Sequence, residues 1–162
     1  MIWFIMLPLA ALGIVGYRAV ERKKALDCLD ELLFGAKYLS RQITLTLEPL
    51  GEIFLSLGKR CPLRRELFKE LELAARRGGE LEKCLDFAGE LSELDEGDRL
   101  LWSVFLSRLG REEYQSQVTQ CNEFVKSFEE RVERKRTAMK KSLFSETALG
   151  ITAGLFIALL AL

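Results

Sequence analysis

Residues 114–139, YQSQVTQCNEFVKSFEERVERKRTAM, decide the fold. Tyr114, Val118, Cys121, Val125, Phe128, Val132 and Met139 recur at alternating four- and three-residue steps, with Lys135 in the one polar slot of the series. Seven residues make nearly two α-helical turns, so this series lies along one face of a long helix. An apolar stripe of that length is costly in water and calls for a partner of similar length. The front of the chain holds one: Leu26, Leu29, Leu33, Ala36, Leu39 and Ile43 also keep helical spacing. The expected fold is all-α, a helical bundle of about six helices with the long first and last helices antiparallel.

Between these helices the breakers set four shorter elements. Pro49 suits a helix's first turn and disfavours helix in the residue before it, which puts a second helix at about 48–58. Gly58 and Pro62 mark the next turn, and a third helix runs from 62 to about 77, where Gly78 and Gly79 stop it. A fourth is expected over about 80–94 and a fifth over 98–109, with Gly110 as its stop. No period-two pattern suggests a strand.

Working outward, both ends of the 162-residue chain are apolar. Residues 1–17 carry no charge, and from Ser142 to the last residue the only charge is Glu146. Arg18, Arg22, Lys23 and Lys24 follow the first segment; Arg131, Arg134, Lys135, Arg136, Lys140 and Lys141 precede the second. Basic flanks mark the cytosolic side, and a cleavable signal would carry them ahead of its apolar run. The expectation is a two-pass membrane protein: a transmembrane helix at 1–17, a cytosolic helical domain at 18–141, a transmembrane helix at 142–162, and both termini outside the cytosol. Each long bundle helix then continues into a transmembrane helix. Seventeen helical residues span about 26 Å, the short end of what a bilayer needs. Gly150, Gly154 and Ala158 form a small-residue face, and Gly13 and Gly16 are its candidate partners for close helix packing.

Charge and composition exclude several functions. Basic and acidic residues balance at 24 each, so no global field points to nucleic acid. The absence of histidine removes the commonest general base and metal ligand. Cys28, Cys61, Cys84 and Cys121 stand singly, as buried reduced thiols do. No phosphate-binding glycine loop, G-x-S-x-G motif or metal spacing occurs, so no catalytic residue, cofactor, metal or small-molecule substrate is expected. Residues 86–98 contain Asp86, Glu90, Glu93, Asp95, Glu96 and Asp98 with no basic residue among them. Acids before and inside a helix's first turn favour its dipole; a docking surface for a partner, built on Glu93, Asp95, Glu96 and Asp98, is the sharper alternative.

Short motifs along the chain carry a resemblance. Leu39 with Gln42 and Ile43, then Pro49, Leu50 and Glu52, resemble the L-x-x-E-I and P-L-x-E elements of the stage III sporulation protein AB family of endospore-forming bacteria. Leu109, Gly110, Glu113 and Gln117 resemble its L-G-x-x-D and following Gln, and Leu149 to Leu155 its L-G-x-x-x-G-L helix. Gln42 departs from the family's Glu, Glu113 from its Asp, and Leu106 from the Gly that often follows Phe105 there. The resemblance implies likeness to the inner-membrane platform protein of type II secretion and type IV pilus machines. It also implies a place in the mother-cell membrane facing the forespore. The implied partners are the lipid bilayer, the sporulation ATPase (stage III protein AA) and other small membrane subunits of one complex. The function expected is a non-catalytic platform coupling a secretion-type ATPase to that assembly. The alternative is a membrane-anchored helical adaptor recruiting a soluble regulatory partner; gene neighbourhood separates the two.

Overall fold

The structure, a computed structural model, describes residues 2–46, 48–87 and 94–160. Side chains are described for residues 16–142 within these segments, with Ser145 and Thr152. Every element among them is helical. They are α1 (Ile2–Leu45), α2 (Leu50–Arg60), α3 (Arg65–Arg77), α4 (Cys84–Phe87), α5 (Glu96–Arg108) and α6 (Tyr114–Leu160), with 3-10 turns at Pro62–Arg64 and Leu81–Lys83. The fourth expected helix appears as the 3-10 turn and the short α4; its remainder up to 93 lies outside the described residues.

The chain divides into two compact units, Met1–Leu26 with Glu133–Leu162, and Asp27–Val132. In the first, the Arg22 guanidinium donates to Ser142 Oγ at 3.0 Å, and Glu133 pairs with Arg136 one turn on. In the second, Tyr114 donates to the Thr44 carbonyl at 2.8 Å, Ser40 to Asn122 at 3.0 Å, and Lys37 pairs with Glu129. These partners step down α1 as they step up α6, so within this unit the two helices run in opposite directions.

The core of Asp27–Val132 is built from both stripes, in their expected register but for one position on each helix. On α1, Leu29, Leu32, Ala36, Leu39 and Ile43 are buried, while Leu33 is only half-buried. On α6 the buried set is Cys121, Phe124, Phe128 and Val132, with Val125 at the edge. Aromatic stacking explains the shift on α6. The Phe124 ring lies parallel to Phe105 of α5 at 3.9 Å, and Trp102 meets Phe124 edge-on at 4.9 Å and Phe128 at 5.6 Å. A phenylalanine buries more surface than a valine, so the helix turns its larger side chain inward. On the other side, α2 and α3 pack through Ile53, Phe54, Leu57, Leu67, Phe68 and Leu71, all essentially without exposure. α3 ends at Gly78, whose φ of 65° closes the helix through bonds to the Ala74 and Ala75 carbonyls.

Localisation is corrected. Among the described residues no helix is long and apolar enough to cross a membrane, so a two-pass membrane protein with both termini outside the cytosol is not supported. The helices at both ends exist, but their uncharged stretches, 1–17 and 147–162, are 17 and 16 residues long, at or below the lower limit for crossing a hydrocarbon core, and Arg18 and Glu146 bound them. Gly16 is exposed, with nothing within 4 Å of where a Cβ would stand. The surroundings of Gly13, Gly150, Gly154 and Ala158 lie outside the described side chains.

Candidate functional site: a motif-lined end of the helical unit

Two turns meet at one end of the Asp27–Val132 unit. The first joins α1 to α2. Gln42 closes α1, its carbonyl accepting from the Thr46 N–H and hydroxyl at 2.9 Å each and its side-chain oxygen accepting from the same hydroxyl at 3.0 Å. A carboxylate could accept that bond equally, so glutamine here preserves the local geometry. Ile43 is buried one residue on. Pro49 then holds an extended backbone (φ −58°, ψ 138°) whose carbonyl accepts from the N–H groups of Glu52 and Ile53, opening α2 without a side-chain cap.

The second turn joins α5 to α6. Leu109 is buried in extended conformation, and Gly110 follows at φ +77°. Glycine suits the turn because an L side chain is strained at that φ, and a Cβ there would stand 3.0 Å from Leu50 Cδ1, which would have to shift. Glu113, exposed, accepts the Gln117 N–H on its carbonyl at 2.9 Å and so starts α6; Gln117 is half-buried. Motif residues far apart in sequence are therefore in contact through Gly110 and Leu50, and Tyr114 binds Thr44 across the same end. Two large apolar side chains stay in solvent beside them, Leu45 at 66% and Tyr114 at 42% exposure. Adjacent exposed apolar side chains rimmed by polar groups are a common mark of a protein contact.

The acidic segment divides differently from the expectation. Glu93 lies outside the described residues, and Asp95 and Glu96 are exposed. Asp98 has no exposure and is not a surface residue. It meets the Arg131 guanidinium at 3.4 Å, while its own N–H donates to the Asp95 carboxylate at 2.8 Å, so Asp95 caps α5. Gly97 makes room for Arg131: a Cβ there would stand 3.0 Å from the guanidinium. Arg131 thus meets an acid 33 residues away. The signal that could have found it was the unusual Asp-Glu-Gly-Asp helix start facing an arginine on the apolar side of the last stripe.

Chemistry at the four cysteines is confined. All are buried with free thiols. Burial pushes the Cys61 thiol up to about 11, helped by the charge of Glu31 and opposed by that of Arg60; burial alone raises Cys121 to about 11. Burial, then the charges of Glu70 and Glu82, also raises Cys84. A raised thiol pKa disfavours the nucleophilic thiolate. Native protein treated with iodoacetamide at pH 8 should leave Cys61 and Cys121 unmodified, and urea should expose both, as read by mass spectrometry. The folded state holds these protons more tightly than the unfolded chain. This stabilisation is complete below pH 9, the ordinary thiol value, and is lost as pH rises through about 11. Rapid labelling of either thiol in the native state would contradict the burial.

Compared with known proteins, a family model described as stage III sporulation protein AB matches residues 1–162, the whole chain. No curated protein and no solved structure matches it.

Proposed function

The chain belongs to the stage III sporulation protein AB family, and from that membership, which carries a role in sporulation, we propose that it is a non-catalytic scaffold docking the sporulation ATPase within a multiprotein assembly. The docking surface in this proposal is the motif-lined end of the Asp27–Val132 unit. One observation carries it: the family-motif residues at 42–50 and 109–117 converge on an end that leaves Leu45 and Tyr114 exposed. Motif residues that only filled the core would not need apolar side chains in solvent beside them. The resources of this end are shape, apolar contact and backbone placement, which suit binding.

The test is capture of the purified ATPase by the full-length chain. Leu45→Lys is expected to weaken capture by about tenfold or more, since a desolvated ammonium would replace an apolar contact. The fold should be unaffected, because position 45 is largely exposed at the C-terminus of α1, where a cation is favourable. Wild-type capture by Leu45→Lys would remove this end as the docking surface, and no capture by the unaltered chain would remove the scaffold function.

A further inference from the structure

Residues 55–69 hold five basic side chains, Lys59, Arg60, Arg64, Arg65 and Lys69, against one acid, Glu66. They span the end of α2, the turn after it and the start of α3. The fold uses two of the five: the Arg60 guanidinium lies over the Tyr38 ring at 5.1 Å, and Arg64 is buried at 2% exposure. Lys69 reaches Glu66 at 3.7 Å, with both side chains largely in solvent. Lys59 and Arg65 are exposed, and their side chains make no ion pair or hydrogen bond among the described residues.

α2 and α3 run antiparallel. Arg76 on α3 holds Glu52 on α2 at 2.9 Å near one end, and Gly58 faces the Arg65 carbonyl near the other. Between them opens a cleft of about 240 Å³, floored by Phe54, Leu55 and Gly58 and bordered by Lys59, Arg65 and Lys69. The acid that lines it, Glu72, is already bonded to Arg76 at 2.9 Å. Gly58 has no role in packing that alanine could not fill. A Cβ there would meet the Arg65 carbonyl and Phe68 Cβ at 3.7 Å, ordinary van der Waals contact, and alanine favours a helix over glycine. What alanine would change is the floor of the cleft, by filling part of it.

We propose that this cleft docks an acidic amphipathic helix of a partner protein, with an apolar side chain seated on Phe54, Leu55 and Gly58 and carboxylates from the adjoining turns paired with Lys59 and Arg65. The occupant's charge follows from the two unpaired cations, and its apolar anchor from the floor between them. Its size follows from the volume. At about 240 Å³ the cleft is smaller than the roughly 300–1,000 Å³ that enclose a small ligand, and fits the anchoring side chain of something larger. A groove between antiparallel helices is a surface onto which a third helix packs, its residues at i, i+3 and i+4 facing the groove. A bilayer, being flat, meets a convex basic face and leaves such a floor empty. Charge at the rim steers the encounter and makes it salt-sensitive. Lys59 stands nine residues along α2 from Leu50, about 14 Å from the motif-lined end, so this surface is separate from the one at Leu45.

The experiment pans the full-length chain against a phage-displayed library of random peptides of about 15 residues, roughly four helical turns. The library is first depleted on the variant carrying Lys59→Glu and Arg65→Glu, which removes peptides that bind elsewhere. The enriched peptides should carry Asp or Glu beside apolar residues at helical spacing. By fluorescence anisotropy, the leading peptide should bind the double variant at least about tenfold more weakly, lose affinity at high salt, and bind Leu45→Lys like the parent. Its acid-to-lysine counterpart should prefer the double variant to the parent, which also shows that the variant is folded. Gly58→Ala should keep or raise the midpoint of urea unfolding and still weaken binding by about threefold or more. A depleted library that yields no binder, binders without acids, an affinity unchanged by the double variant, or Gly58→Ala binding like the parent would each overturn the proposal. Binding of phosphatidylglycerol vesicles that the double variant loses, with no acidic peptide enriched, would overturn it too and assign the cations to a lipid surface.

Discussion

Phe128→Asp is expected to unfold the Asp27–Val132 unit. Phe128 has no exposure and lies between Trp102 at 5.6 Å and Phe124 at 5.8 Å. Losing the ring removes packing worth about 3–5 kcal/mol. An aspartate in its place must either be buried as an unpaired charge or take up a proton, at a further few kcal/mol. The sum is comparable to the whole stability of a domain, about 5–15 kcal/mol. Circular dichroism and tryptophan fluorescence during urea unfolding measure it. The variant should show no cooperative transition, whereas Phe128→Leu should keep one with a lowered midpoint. An unchanged urea curve for Phe128→Asp would show that the ring cluster is not core.

Gly35→Val should be the second most damaging change, and its sign is diagnostic. Position 35 lies inside α1, where glycine costs about 1 kcal/mol relative to alanine, so an isolated helix would gain from most replacements. In the folded unit a Cβ at 35 would stand 2.7 Å from Phe68 Cζ, and Phe68 is itself buried at 1% exposure. The ring has no solvent to move into, and valine adds two further carbons. Overpacking of this kind costs about 3 kcal/mol, more than the helix propensity returns. The midpoint of urea unfolding should fall without a change in slope. Phe68→Leu, which withdraws the ring tip, should recover part of the loss in the Gly35→Ala background, so that the double variant is more stable than the sum of the singles. A Gly35→Val protein as stable as the parent would mean that α1 and α3 do not meet there.

Helix starts and stops were legible because their causes are local. Pro49 ahead of α2, the glycine after α3 and the acids heading α5 act within one turn of themselves. Which face of a helix turns inward was legible at most positions, and a single position on each long helix went to a neighbouring residue. Adjacent positions differ by about 100° around the axis, and the choice between Val125 and Phe124 rests on what α5 presents. Phe105 and Trp102 decided it. The acidic run shows the same limit from the side of charge. Its residues read alike in sequence, yet Asp98 is sealed against Arg131 while Glu96 faces solvent.

The apolar ends mark a different limit, since uncharged composition alone did not establish a membrane span. Length along the helix axis is the governing quantity, and at 17 and 16 residues the two stretches lie at or below the lower limit for a hydrocarbon core. By itself, then, the sequence determined the all-helical class, the helix order and most of the boundaries, because the 3.6-residue period and the caps are properties of short segments. It also carried the family, through motifs whose order survives the departures at positions 42, 106 and 113. Only the tertiary structure decided that the motifs at 42–50 and 109–117 share one end, that Gly35 leaves space for Phe68, and that Asp98 is sealed against Arg131. Each of these depends on which helix faces which. That is set by the close packing of side chains from distant parts of the chain, and no local period encodes it.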